Sequence, residues 1–445
     1  MSRSHLVSIS LAIVLALSGC GKSEKKAADL DAAMGPAAKA DVADATPPQK
    51  VKSLGDSVPT DVPLGLPPLP VPNGPPPTDK LVHLGRRLFY EGNIAADGIT
   101  SCGSCHTYDH AFAETRQVAL GFSSTRGDRN TPSLLNVAYW TSLNWDGSVQ
   151  TPDPGLGLLE AQVRFPLEDP AQMATKVDSV EKSLNISDQY HMLMTKTYGK
   201  NVPVKYALAT RAIAAFERTL LSGNSPFDRY FFGHDENAIS SAAIRGWEIF
   251  KDPKKGNCIA CHAVGEKFGL FTDNEFHNTG VGLDSTGEGH DLGRFRVTNR
   301  PADKGAFRTP SLRNVALTPP YMHNGSLRSL RGVVDFYSEG GGQNPYLDPQ
   351  IKKLNLSEKD RDDLVSFLNT LTGPMPVNTG HPTPQEEAAD AVEDDATEKP
   401  ATPEAATPAS GTTAPSAPVE KPSPFTKKDQ KKDAKKDDKA EKKQP

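Results

Sequence analysis

Four of the five cysteines fall in two copies of one short pattern, Cys102-Gly103-Ser104-Cys105-His106 and Cys258-Ile259-Ala260-Cys261-His262. Cys-x-x-Cys-His is the spacing of covalent haem c attachment. Two thiols three residues apart add across the two vinyl groups of one porphyrin. The imidazole that follows then reaches the iron from the same face. A zinc half-site would need further cysteines or closely spaced histidines, and the chain has none to spare. Two haem c groups follow, bound by Cys102, Cys105, Cys258 and Cys261, with His106 and His262 as proximal ligands. What each iron does depends on its other axial position. An iron with two strong ligands passes electrons, whereas one with an open position binds peroxide or oxygen.

The elements that carry these motifs repeat. Leu84-Gly85-Arg86-Arg87-Leu88-Phe89 precedes the first motif as Arg245-Gly246-Trp247-Glu248-Ile249-Phe250 precedes the second. Arg129 to Ala138 is echoed by Phe307 to Ala316, and Trp145-Asp146-Gly147-Ser148 by His323-Asn324-Gly325-Ser326, both at an offset of 178 residues. Two related domains, 78–230 and 231–377, are therefore expected. Both read as helical. Leu208, Ala212, Phe216 and Leu220 recur at helical spacing. Ile239 to Phe250 reads as a short helix that Ser240 or Ser241 caps. Ser357-Glu358-Lys359-Asp360 opens a helix with the stripe Leu364, Phe367, Leu368 and Leu371, stopped at Gly373-Pro374. The fold class is mainly α, built by internal duplication around two haems.

The chain has 445 residues and a net charge of −5, which excludes a broad electrostatic case for nucleic-acid binding. Its 38 prolines crowd the two ends. Residues 1–20 read as an export signal: Arg3, then an apolar run from Leu6 to Leu17 too short for a mature membrane span. The run closes in Leu17-Ser18-Gly19-Cys20, which resembles a bacterial lipobox. That likeness implies a lipid anchor on Cys20 and a periplasmic location; Gly21 in place of Asp points to the outer membrane. Residues 21–77 are expected to form a disordered, Pro-rich tether, polyproline-like over 62–77. Residues 378–445 are expected to be a disordered low-complexity tail, acidic from Glu386 to Glu398 and Lys-rich from Lys427.

Residues 78 to 375 resemble the bacterial di-haem cytochrome c peroxidases, including the MauG-like branch. The resemblance rests on both haem motifs, Arg129-Asn130-Thr131-Pro132, Trp145-Asp146-Gly147, Leu159-Glu160-Ala161-Gln162, Thr318 to Gly325 and Val333-Val334-Asp335-Phe336-Tyr337. It implies two cytochrome c-like domains, with peroxide reacting at the N-terminal haem and the C-terminal haem relaying electrons. It implies Tyr337 as distal ligand of the His262 haem, with Met322 as the alternative. Where many members have a histidine that caps the peroxide haem at rest, this chain has Phe122; His110 lies too close to His106 to replace it. Gln162 matches the distal-pocket glutamine. The position of the catalytic glutamate holds Gln172, within Asp169-Pro170-Ala171-Gln172-Met173, and an amide cannot take a proton from peroxide. Glu168 is the nearby carboxylate that could take the role. Trp145 corresponds to the tryptophan between the haems. The resemblance also implies one Ca²⁺, held by Asn130, Thr318 and Pro320.

The leading expectation is a peroxidase that reduces hydrogen peroxide with electrons from a small c-type cytochrome or copper protein. A second is a MauG-like enzyme that oxidises an aromatic residue of a partner protein. A third is a di-haem electron carrier without enzymatic activity.

Overall fold

The computed structural model describes residues 61–70, 77–149, 157–200 and 202–392. The export signal, Cys20 and the Lys-rich run lie outside the described residues. The first half carries α1 (Asp79–Phe89), α2 (Leu158–Glu168), α3 (Val177–Ile186), α4 (Asp188–Tyr198) and α5 (Tyr206–Glu217). The second carries α6 (Pro226–Phe231), α7 (Ser241–Lys251), α8 (Leu330–Ser338) and α9 (Glu358–Asn369), followed by α10 (Pro384–Val392). Two three-residue strands, β1 (Phe276–Asn278) and β2 (Ala306–Arg308), pair antiparallel with His277 opposite Phe307. No helix among the described residues is long and apolar enough to cross a membrane.

The helices start where local chemistry starts them. Thr78 accepts a hydrogen bond from the Leu81 amide at 3.3 Å and caps α1. Ser240 caps α7 through the Ala243 amide at 3.2 Å. Ser357 and Asp360 form the reciprocal capping box that opens α9.

Each half is built on one close helix crossing, and a glycine permits it. At the α1–α5 crossing a Cβ on Gly85 would stand 1.8 Å from the Ala212 carbonyl oxygen. At the α7–α9 crossing a Cβ on Gly246 would stand 1.9 Å from the Asp363 carbonyl oxygen. The next neighbours are the Cβ atoms of Phe216 and Phe367, so the duplication reaches side-chain detail. The backbone repeats as well. Asn136 (φ 61°) answers to Asn314 (φ 58°), and Asn144 (φ 64°) to Met322 (φ 71°). The bridge Leu143–Val149 answers to Tyr321–Leu327.

The first core packs Leu84, Leu88, Phe89, Phe112 and Phe216; the second packs Phe227, Trp247, Phe250, Phe271 and Phe367 around edge-to-face ring contacts. The expected division at 230/231 falls at the end of α6, whose Phe227 already belongs to the second core. The chain therefore changes cores before α6.

Both flanking segments differ from expectation near the globule. Residues 61–70, assigned to the tether, are folded against both halves. Leu66 is buried with Tyr139 and Leu221, and the Tyr139 hydroxyl donates to the Pro67 carbonyl at 2.8 Å. The Gly65 carbonyl accepts from Arg313 Nη2 at 2.6 Å. That guanidinium also forms two bonds, of 2.8 and 3.0 Å, to Asp228, and these side chains are 1% and 0% exposed. Gly65 has φ +86°, and a Cβ there would lie 2.0 Å from Asp228 Oδ1. The tail, expected to be disordered from 378, instead returns to the first half. The Thr379 carbonyl accepts from the Tyr90 hydroxyl at 2.8 Å, Glu386 meets Arg86 at 3.0 Å, and Asp390 meets Arg87 at 2.5 Å. Composition marks this run as acidic and soluble. It does not reveal that two buried arginines on α1 need its carboxylates.

Gly246→Ala forces α7 and α9 apart, and overpacking of this kind costs about 1–3 kcal/mol. A lowered denaturant midpoint for the holoprotein, with both haems retained, is the expected result.

Candidate haem sites

The two Cys-x-x-Cys-His segments are short helical turns, closed by His106 N donating to Cys102 O at 2.9 Å and His262 N to Cys258 O at 2.9 Å. None of the four cysteines is in a disulfide. Burial pushes the Cys105 thiol up to about 11 and Cys258 up to about 12. Each imidazole is held the same way. His106 Nδ1 lies 2.9 Å from the Phe112 carbonyl oxygen, and His262 Nδ1 lies 2.9 Å from that of Phe271. Both phenylalanines are fully buried and left-handed, with φ 57° and 54°. That turn aims each carbonyl at its ring. A carbonyl can only accept, so Nδ1 carries the proton and Nε2 is left for iron. Burial pushes His106 down to about 4 and lowers His262, with the Pro132 and Pro310 backbones opposing the shifts at repeat-related positions. The neutral imidazoles fit the ligand role.

Around the second motif a cavity with about 1770 Å³ of empty space, open to solvent, is lined by Cys258, Cys261, His262, Met322 and Tyr337. Tyr337 projects from α8. Burial raises its hydroxyl well above the usual phenol range, and Cys261 and Cys258 lie close enough to add to the shift. Met322 lines the same cavity from the left-handed turn after Tyr321. His277 sits beside Cys261, between Asp348 at 2.7 Å and Asp273 at 3.0 Å. Contact with Cys261, then with these carboxylates, pushes it up to about 10. Cys261, Asp273 and His277 are close enough to suggest a metal site. Cys261 belongs to the haem motif, so its sulfur is not free for a second metal.

The cavity continues to Trp145, Asn130, Thr318 and Pro320. Trp145 is tied to both copies of the repeated segment: its indole donates to the Asn130 carbonyl at 2.8 Å, and its own carbonyl accepts from the Arg308 amide at 2.8 Å. The Asn130 amide nitrogen donates to the carbonyls of Arg116 and Gln117, both at 3.2 Å, which leaves Oδ1 as the oxygen available to a hard cation.

On the first side, Gln162 lies on α2, and its Oε1 is buried with no hydrogen-bond partner. An orphaned buried acceptor of this kind lacks a partner from the described residues. Gln172 accepts a 2.6 Å bond at its carbonyl from the Phe122 amide, so these two expected distal residues are brought together. Its side-chain amide donates to Asp169 Oδ2 at 2.8 Å. Glu168 is not part of this group. It is exposed at 42% and pairs with Arg164, one turn back, at 3.3 Å. His110 stays beside the proximal segment, 3.4 Å from the Thr107 hydroxyl.

Two carboxylates were missed from sequence. Asp169 reads as a helix terminus, and only its bond to Gln172 marks it. Glu217 is buried at the end of α5 and is pushed up to about 8, by burial and by Glu160 against the opposing charge of Arg218. Arg218 is engaged with Glu160 through bonds of 2.9 and 2.8 Å, which leaves Glu217 Oε2 without a partner. Its one sequence signal is its place beside Phe216 on a helix with little polar face.

A family model described as di-haem cytochrome c peroxidase matches residues 79–236, and one described as cytochrome c matches residues 243–372. The methylamine utilization protein MauG of Methylorubrum extorquens is 38% identical over 305 residues, spanning 68% of this chain and 81% of that one. The chain belongs to the di-haem cytochrome c peroxidase family. The cytochrome-c peroxidase IdrP1 of Denitromonas iodatirespirans is 35% identical over 344 residues, spanning 71% of this chain and 88% of that one. A solved MauG-like protein associated with microbial copper homeostasis superposes with a TM-score of 0.63 at 32% identity, covering 71% of this chain and 95% of that one. Membership makes this di-haem peroxidase an oxidoreductase with two c-type haems. The mainly helical fold class expected from the repeats, and the cytochrome c-like domains implied by the resemblance, both hold.

Glu217 generates a test of pH dependence. Its folded pKa of about 8 stands above its ordinary 4.5, so its neutral form stabilises the fold fully at low pH. That contribution is lost as pH rises through about 8. Glu217→Gln removes the titration. Unfolding midpoints measured from pH 5 to 8 are expected to fall with pH more steeply in the wild type than in the variant.

Proposed function

We propose that this enzyme reduces hydrogen peroxide to water at the haem of Cys102, Cys105 and His106. Two electrons and two protons are consumed per peroxide, and the electrons come from a small c-type cytochrome or copper protein. They enter through the haem of Cys258, Cys261 and His262 and pass by Trp145. The observation that carries this reading is an asymmetry between two otherwise matched sites. Both histidines are held by the same carbonyl bond, yet the second motif has the Tyr337 hydroxyl near its cysteines. The segment that packs on Gln172 offers Phe122, which cannot ligate iron.

When bound, the haems supply the iron redox chemistry. The surrounding residues then have distinct tasks. Gln162, whose Oε1 is unpartnered, would accept a hydrogen bond from a bound proton donor. Gln172, anchored to Asp169 through its amide nitrogen, keeps Oε1 as an acceptor for a peroxide proton. It cannot remove that proton, which makes O–O cleavage slow. Tyr337 would serve as a hard oxygen ligand of the second haem and favour oxidised iron, with Met322, which lines the same cavity, as the softer alternative. Asn130, Thr318 and Pro320 would hold one Ca²⁺ through oxygen atoms. Export to the periplasmic side, with a lipid on Cys20 at the outer membrane, completes the proposal.

A MauG-like role, oxidation of an aromatic residue of a partner protein, is the second reading. It is supported by Tyr337 and by the missing carboxylate at position 172, which suit a long-lived oxidised state better than rapid turnover. A pure electron carrier is disfavoured by Phe122 and by the orphaned amide of Gln162.

Titration of the purified protein with peroxide, followed by optical and spin spectroscopy, tests the proposal. A resting high-spin signal that peroxide abolishes is expected; a wholly low-spin, peroxide-indifferent protein overturns it. Turnover with reduced cytochrome c separates the first reading from the second. Gln172→Glu supplies the absent proton acceptor, and general-base catalysis is worth about 10²–10⁴-fold. A rise of at least about tenfold in peroxide turnover is expected from steady-state assays.

A further inference from the structure

Five arginines are buried among the described residues, and Arg308 differs from the other four. Arg86 and Arg87 meet Glu386 and Asp390, and Arg313 meets Asp228. Arg294 donates to the carbonyls of Asp146 and Gly147, both at 2.9 Å. Arg308, at the end of β2, is 2% exposed, and no carboxylate pairs with it among the described residues. Its Nη1 reaches only the carbonyl of the next residue, Thr309, at 3.2 Å. Its Nε is buried without a partner. The guanidinium carbon stands over the Trp140 ring, 4.2 Å from its centroid. A buried cation without an anion is strongly unfavourable, and a planar fork is shaped for a carboxylate.

The missing anion has a place to come from. Arg308 lines the same cavity as Cys258, Cys261 and His262. A haem c attached there carries two carboxylates of its own, the propionates. The repeat sharpens the point. Arg308 occupies the position that Asn130 occupies in the first copy of the Thr-Pro-Ser segment. One copy presents an amide oxygen for a cation, and the other presents a cation.

We propose that Arg308 binds a propionate of the haem held at Cys258 and Cys261 and raises that haem's reduction potential. The proposal rests on reading the cavity as the second haem's site. A fixed positive charge beside the porphyrin offsets the propionate's negative charge and favours the reduced iron. Arg308 is thus a positioning and tuning residue. It acts on the haem from the interface, between its own strand and Trp140 of the first half.

Full-length holoprotein carrying Arg308→Gln or Arg308→Lys tests this by spectroelectrochemical titration, with each haem followed through its own spin-state signature. Haem c content is measured in parallel. Arg308→Gln is expected to keep two haems and to move the midpoint of the low-spin haem to more negative potential, leaving the peroxide-reactive haem in place. Arg308→Lys is expected to move it the same way by less, because an ammonium keeps the charge but not the fork. An unchanged low-spin midpoint, or a shift confined to the other haem, overturns the proposal and points to a soluble anion as the ligand of Arg308. Should Arg308→Gln fail to mature, an unchanged midpoint in Arg308→Lys overturns it equally. Wild-type protein with a single haem overturns the reading of the cavity itself, and that measurement does not involve Arg308.

Discussion

An imidazole can offer a metal only the nitrogen that its surroundings leave unprotonated. In this chain the whole arrangement turns on two backbone carbonyls, those of Phe112 and Phe271, each 2.9 Å from a histidine Nδ1. To point that way each phenylalanine must adopt a left-handed backbone, a conformation unfavourable for a bulky residue. Full burial of both rings in their aromatic cores holds them there. The cores thus do more than supply hydrophobic stability. They fix the tautomer and the tilt of the two groups on which the chemistry depends.

Duplication and divergence divide the labour. What is repeated is scaffold: the glycine-permitted helix crossings, the left-handed asparagines before the short turns, and the carbonyl bonds to histidine. What differs sits at repeat-related positions facing the space between the halves. Trp145 stands where the second copy has His323, which lies flat on Phe307. Asn130 stands where the second copy has Arg308. A symmetric ancestor would give two equivalent metal centres. The substitutions along the shared wall make the two sides chemically unlike: Trp145 and Asn130 from one copy face His323 and Arg308 from the other.

The sequence was most legible where spacing alone carries meaning. The two Cys-x-x-Cys-His segments, the caps at Ser240 and Ser357 and the stripe ending at Leu371 could each be read because their rules are local. The family resemblance singled out Gln162, Trp145 and Asn130, of which Trp145 and Asn130 line one cavity with the second motif. Legibility failed where a partner is distant in the chain. Arg86 and Arg87 look like surface residues until Glu386 and Asp390 return to them. Glu168 looks like a substitute for the absent glutamate until Arg164 is seen to hold it in solvent. Glu217 and Asp169 carry no motif; burial in one case and a hydrogen bond to Gln172 in the other give them significance. The Pro-rich segment reads as pure linker because nothing local marks Gly65 as the lid on a buried ion pair.

That last contact has a mechanical consequence. The chain enters the globule at residues 61–70, which bond to Tyr139 of the first half and Arg313 of the second. A load applied from upstream would therefore reach the molecule at its waist, through the Arg313–Asp228 clasp, and not at the outer edge of either half. A pull on the leading end would thus be shared by the two halves at their junction and would strain the buried ion pair first.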